Sequence, residues 1–281
     1  MCSSDLTPGK TVVAVEEPGY PPLHAAFAAA GAKVVPVRVD AEGLIIERLP
    51  RDARVIYVTP SHQFPLGVAM SAQRRAALLD FAQARGAVVI EDDYDSEFRY
   101  GGRPLDALQT LDRAESVFYV GTFSKSLFPA LRLGYVVVPR WARNALVAAK
   151  QCSDSHCALE AQDTLAAFIA EGHLARHIRK MRRVYDKRRE VLLGALERDF
   201  SEWLEPIPSL AGLHLAAFAR RTIDIDAIVE RAKLQGVGVT SLRTFHVDGK
   251  SARRGLVFGY GAIDERGIGA GLARLRAVAG G

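Results

Sequence analysis

The first half of the chain alternates short β-branched apolar runs with stretches of helical period. Residues 11–15, 33–37, 54–59, 87–91, 116–120 and 134–138 have strand length and composition. Between them, residues 22–30 and 71–85 repeat apolar positions at helical spacing. Ser71 is placed to cap the second helix by accepting from its free N–H groups, and Gly86 to end it in a left-handed turn. Apolar strands alternating with helices predict βαβ units, and so a mostly parallel sheet covered on both faces.

The second half has a different pattern. Helical stretches near residues 141–151 and 157–171 lead into one long amphipathic helix over roughly 174–200. Shorter strands follow at 212–218, 237–241 and 255–260, separated by helices near 224–235 and 264–278. The expected organisation is α/β: a large three-layer part over residues 11–175 and a smaller α+β part over 176–281 that includes the long helix. Residues 1–10 show no period and are expected to lie outside the folded body.

Composition changes this picture little. The chain has 281 residues, 49% hydrophobic and 25% charged, which suits a globular protein with one large core or two modest ones. No apolar stretch reaches membrane-spanning length and the start lacks a signal pattern, so the expectation is a soluble cytoplasmic protein without a membrane partner. Cys2, Cys152 and Cys157 fit neither a disulfide framework nor zinc spacing. The net charge of +5 raises the question of nucleic acid. Much of the excess lies in the long helix, from Arg176 to Arg189, where a solvated polar face accounts for it.

Lys125 is the strongest chemical candidate. It follows the strand at 116–120, where partial desolvation would lower its pKa and make a usable amine nucleophile. Thr122, Ser124 and Arg132 around it are donors suited to a phosphate. An amine beside a phosphate cup suits pyridoxal 5'-phosphate, whose aldehyde a lysine holds. The run Glu91-Asp92-Asp93-Tyr94-Asp95 leaves another strand, and a carboxylate there could keep a pyridine nitrogen protonated. The alternatives are a metal-binding cluster, which has no histidine nearby in sequence, or a solvated acidic turn. Pro18-Gly19-Tyr20 forms a turn presenting an aromatic face that could stack on a ring or simply pack on the core. His62 and Gln63, in a Pro/Gly-shaped loop after the strand at 54–59, either reach a ligand or satisfy that loop.

These runs together resemble the fold-type-I, class I/II pyridoxal-phosphate aminotransferases, and most closely the aminotransferase-like domain of MocR/GabR-type GntR-family regulators. The resemblance rests on Glu16-Glu17-Pro18-Gly19-Tyr20, Pro60-Ser61-His62-Gln63-Phe64-Pro65-Leu66-Gly67, Glu91 to Tyr100 and Gly121 to Tyr135, in that order. It implies that Lys125 forms the Schiff base and shuttles the proton. Asp92 would pair with the pyridinium, Tyr94 with the phenolic oxygen, and Tyr20 would stack on the ring. Thr122, Ser124 and Arg132 would hold the phosphate. A homodimer and a small amino compound or amino acid as ligand are implied too. Arg253 and Arg254 are candidates by position for a substrate carboxylate, or else a solvated pair at a strand start. His214 lines the same pocket or faces solvent from its strand.

The chain departs from the pattern at two places. Phe64 stands where class I enzymes carry an asparagine. The glycine/serine-rich helix start that completes the phosphate cup, and the winged helix-turn-helix through which the regulators bind DNA, would both lie upstream of this sequence; a fragment of a longer protein is the expectation. Two functions stay open: the effector-sensing part of a transcription regulator, or part of an aminotransferase acting between an amino acid and a 2-oxo acid. A third possibility is a truncated chain that binds no cofactor. No metal is expected.

Overall fold

The computed structural model describes residues 10–102, 105–155, 158–247 and 253–279. Its larger sheet contains Val12–Glu17 (β1), Lys33–Asp40 (β2), Gly43–Leu44 (β3), Ala53–Val58 (β4), Val88–Asp93 (β5), Val117–Thr122 (β6) and Gly134–Val137 (β7). Their order is β3-β2-β1-β4-β5-β6-β7. The central pairings are parallel, while β3 and β7 run antiparallel at the two edges. The expected fold class therefore holds, with an antiparallel strand closing each edge. All four residues of β7 are exposed, so this edge of the sheet lies open.

Pro21–Ala29 (α1) and Ala72–Arg85 (α2) cover opposite faces of the sheet. Pro21 opens α1, where a missing N–H costs nothing. Ser71 accepts from the N–H of Arg74, and Gly86 is left-handed at φ 59°, as the spacing predicted. Leu78 and Ala82 bring α2 onto Ala14, Ile56, Val58 and Val89, and on the other face Leu23 and Phe27 of α1 meet Val13, Val15 and Tyr57. The apolar strands are thus buried from both sides, which is why they read as continuous apolar runs.

Leu108–Leu111 (α3) is a short turn whose first N–H groups donate to the buried Glu91 carboxylate. Arg143–Asp154 (α4) is preceded by a 3-10 turn over Arg140–Ala142, so the helix begins later than the pattern at 141 suggested. Leu159–Ala170 (α5) occupies most of the predicted 157–171 stretch; Cys157, like Cys2, lies outside the described residues. Cys152 is an exposed free thiol.

The long helix is His173–Asp199 (α6). Its polar face is not simply solvated: Arg182, Arg188 and Arg189 donate to the carbonyls of Glu97, Gly261 and Ser209. The C-terminal turns bury Leu192, Ala195 and Leu196 in a second core, with Leu204–Pro206 (β8), His214–Ala219 (β9), Ile225–Leu234 (α7), Gly255–Gly259 (β11) and Glu265–Ala279 (α8). Together with Thr240–Ser241 (β10) the strands form an antiparallel sheet in the order β10-β11-β9-β8. Apolar pattern alone missed β3 and β8, which are two and three residues long, and made β10 too long. Pieces that short carry no period. Among the described residues no helix is long and apolar enough to cross a membrane.

Leu78 is fully buried where α2 meets the sheet. Leu78→Ala is expected to lower unfolding free energy by about 2–5 kcal/mol in urea denaturation. A loss below about 1 kcal/mol would mean that α2 does not anchor this core.

Candidate functional site

The parallel register of β5 and β6 places Asp92 opposite Val120 and Asp93 opposite Gly121. The chain leaves β6 at Thr122 and reaches Lys125 on the following loop. Asp92 and Lys125 therefore stand at the same carboxyl edge of the sheet, where open α/β folds bind ligands. They also sense each other: burial raises the pKa of Asp92 above its ordinary value, with Asp93 and Asp95 adding to the rise, while the Tyr57 hydrogen bond and the Lys125 charge oppose it.

Asp92 is half-buried and accepts from the Tyr57 hydroxyl at 2.5 Å through Oδ2. Tyr57 sits on β4 in register with Ile90, which carries its side chain along the sheet toward Asp92. Burial and the Asp92 charge hold the Tyr57 phenol well above its ordinary pKa, so it acts as a donor. Sequence pattern gave no reason to single out Tyr57, an aromatic inside an apolar strand. Lys125, by contrast, is exposed, contrary to the expected partial desolvation. The loop lifts it off the strand end instead of folding it back into the core.

That loop closes on itself. Phe123 N–H donates to Leu133 O at 3.1 Å and Thr122 pairs with Gly134, so the excursion ends where it began. The segment carrying Thr122 and Ser124 and the segment carrying Arg132 thereby meet at the neck of the loop. Thr122 Oγ1 accepts from the Ser124 N–H at 3.1 Å, and Arg132 is held in the left-handed region at φ 53°. A non-glycine residue there is uncommon and marks a tightly specified turn.

Tyr20 precedes α1, is 42% exposed and meets the Phe64 ring edge-on at 5.6 Å. Its face is not covered by the core, unlike that of an ordinary packed tyrosine. Gln63 is buried and donates to Pro18 O at 2.8 Å, tying the Thr59–Gly67 loop to the Pro18–Tyr20 turn.

Tyr94 follows β5 and turns its hydroxyl to His62. Its hydroxyl donates to the His62 carbonyl at 2.9 Å and sits 3.0 Å from His62 Nδ1. His62 is buried, with Nδ1 3.0 Å from Asp95 and Nε2 3.1 Å from the Ser209 hydroxyl. The acidic run thus has a histidine beside it in space although none is near in sequence. His214 is buried and not solvent-facing: its Nε2 donates to Pro65 O at 3.1 Å, and its ring lies 4.7 Å from that of His62. Burial, then the neighbouring His62, push its pKa well below the ordinary value, so it is neutral. Gly212 is required here, because at φ 84° any Cβ would fall on the His62 ring.

His62, Asp95 and His214 offer ligand atoms within 4.8 Å of one another. Each already has protein partners, which makes the cluster a buried polar bridge between the two parts of the molecule. Arg253 and Arg254 diverge, as neighbours at a strand start do. Arg253 stacks on the Phe218 ring at 3.5 Å and lines a cleft with Glu17 and Pro18, whereas Arg254 donates to Ile223 O on the outer side of the small sheet.

Asp95→Ala is expected to cost about 2–3 kcal/mol in denaturant unfolding, because it takes the carboxylate partner from the buried Nδ1 of His62. Ser209→Ala should cost only about 1 kcal/mol. Equal losses would show that the Asp95 carboxylate holds His62 no more firmly than the Ser209 hydroxyl does.

Comparison with known proteins places the sequence and the fold among relatives. Residues 4–254 match the model of the family described as "Aminotransferase class I and II". The chain is 38% identical over 267 residues to the probable rhizopine catabolism regulatory protein MocR of Rhizobium meliloti, covering 94% of this chain and 54% of that protein. It is 30% identical to aromatic-amino-acid aminotransferase 1 of Thermococcus litoralis, over 96% of this chain and 67% of that one. The crystal structure of Pyrococcus horikoshii kynurenine aminotransferase, solved with PMP, superposes with a TM-score of 0.90 at 29% identity, over 98% of this chain and 70% of that one. The chain thus spans about half the length of the regulator it matches. With the family model matched over most of its length, this chain is an aminotransferase-like domain and belongs to the class I and II aminotransferase family.

Proposed function

We propose that this domain binds pyridoxal 5'-phosphate covalently at Lys125 and serves as the effector-sensing part of a MocR/GntR-type regulator. The observation that carries the reading is the register of β5 and β6, which brings Asp92 and Lys125 to one edge. When bound, the cofactor supplies an aldehyde for amines and a ring that withdraws electrons. The residues suit it chemically. Asp92 has a second carboxyl oxygen to offer a protonated ring nitrogen beside the one that Tyr57 occupies. Thr122 and Ser124 supply hydroxyl donors, and Arg132 a guanidinium, for a phosphate. Tyr20 offers an open aromatic face.

Tyr94 would serve the phenolic oxygen by moving its donated proton away from the His62 carbonyl, or else position His62. An exposed Lys125 would hold the cofactor within reach of an incoming amine and, once released as a free amine, could take up and return a proton. The ligand would be an amino acid or another small amino compound. Arg253, facing the cleft beside Glu17 and Pro18, is better placed than Arg254 to meet its carboxylate. His62 and Gln63 would act by fixing the pocket wall. A homodimer, and DNA contact through a helix-turn-helix elsewhere in a longer protein, complete the proposal; the regulator relative, roughly twice this chain's length, supports it. The likeness to a Thermococcus aminotransferase favours a second reading, part of an enzyme that transfers amino groups.

With added pyridoxal phosphate, the protein is expected to gain a visible absorption band that Lys125→Ala lacks. Asp92→Ala should weaken binding at least tenfold, about 1.4 kcal/mol. A band that persists in Lys125→Ala would refute covalent capture there. Sustained amino transfer to a 2-oxo acid by the native protein would favour the second reading.

A further inference from the structure

Glu16 is 1% exposed at the end of β1, and its two carboxyl oxygens have opposite surroundings. Oε2 accepts from the Thr59 N–H at 3.1 Å, the Thr59 hydroxyl at 2.5 Å and the Gln63 amide at 3.3 Å. Oε1 is buried and, among the described residues, has no hydrogen-bond partner. Thr59 Oγ1 in turn accepts from the Phe64 N–H at 3.0 Å, and the Phe64 ring supports Tyr20. The Gln63 amide also reaches Pro18 O and Phe64 O. One carboxyl group therefore fixes the start of the Thr59–Gly67 loop and, through it, the turn that presents Tyr20.

We infer that Glu16 is a positioning residue of the cofactor pocket: its buried carboxyl holds Thr59, Gln63 and Phe64 so that Tyr20 stands over the edge shared by Asp92 and Lys125. This rests on the cofactor reading above. The group best suited to the task is a neutral acid, with a carbonyl oxygen receiving the donors and the proton on the other oxygen. An ionised carboxylate would leave part of its charge on a buried, unpartnered atom. Burial accordingly raises the Glu16 pKa from 4.5 to about 7, against the opposing bonds from Thr59 and Gln63 and with a further rise from Asp92. Asp92 on β5, Tyr57 on β4 and Tyr94 beyond β5 are the titratable groups that feel Glu16. His24 of α1 approaches the backbone at Gly19, and Glu17 is taken up by His246.

The sign follows from linkage. Because the native pKa is raised, the folded chain holds a proton that the unfolded chain releases between about pH 4.5 and 7. The Glu16 contribution to stability therefore falls as pH rises through that window and is flat above it. Glu16→Gln mimics the neutral acid, and Glu16→Ala removes the acceptor.

Two measurements test this. In thermal unfolding without cofactor, the wild-type midpoint should fall between pH 5 and 8 by about 5 °C more than that of Glu16→Gln. In pyridoxal phosphate titrations at pH 6, Glu16→Gln should bind within about twofold of wild type, and Glu16→Ala at least tenfold more weakly. Should Glu16→Ala not fold, Gln63→Leu, which cuts the link to Pro18 while keeping Glu16, is expected to weaken binding at least threefold. Parallel pH profiles, or wild-type affinity in Glu16→Ala or Gln63→Leu, would overturn the inference with the cofactor reading intact. A wild-type chain that takes up no cofactor overturns that reading, and the unfolding profiles then judge the proton on Glu16.

Discussion

The side-by-side parallel pairing of β5 and β6 is the constraint on which the site depends. Two strands running the same way end at the same edge, so groups just beyond each end meet without any long-range guidance from their own side chains. Asp92 opposite Val120 fixes the carboxyl, and the closed loop from Thr122 to Gly134 delivers the amine. Burial of the central strands by α1 on one face and α2 on the other makes that register hard to slip, since a one-residue shift would swap the side chains packed into the two cores.

Around this edge the molecule places polar groups that are buried yet bonded. Tyr57 donates to Asp92, Glu16 gathers Thr59 and Gln63, and His62 joins Asp95 to Ser209. The first two act within the large sheet. The third crosses from the acidic run to the segment leading into β9, so the two parts of the chain share a buried polar contact beneath the site. Such contacts specify geometry more than they stabilise it, because each desolvated group offsets much of what its partner contributes.

Much of this was legible from residue order. The strand and helix pattern of the first half reappears with ends moved by three residues or fewer, because long apolar runs and the Ser71 and Gly86 caps are local signals. Asp92, Lys125, Thr122 and Arg132 stood out because their motifs are contiguous. Tyr57 and Glu16 did not, since their roles arise from neighbours 35 and 43 residues away in sequence. The same is true of the His62–Asp95 and His62–Ser209 contacts, separated by 33 and 147 residues. The solvent exposure of Lys125 depends on how a loop leaves its strand, which no spacing rule encodes.

The likeness to regulators and to aminotransferases fits a fold that hosts more than one function. The proposed function needs one amine at one place. Borohydride reduction of the pyridoxal-phosphate-loaded protein, followed by peptide mass mapping, reads that place directly. The account predicts a pyridoxyl-phosphate mass on the peptide that contains Lys125; the same mass on another lysine, or on none, would contradict it.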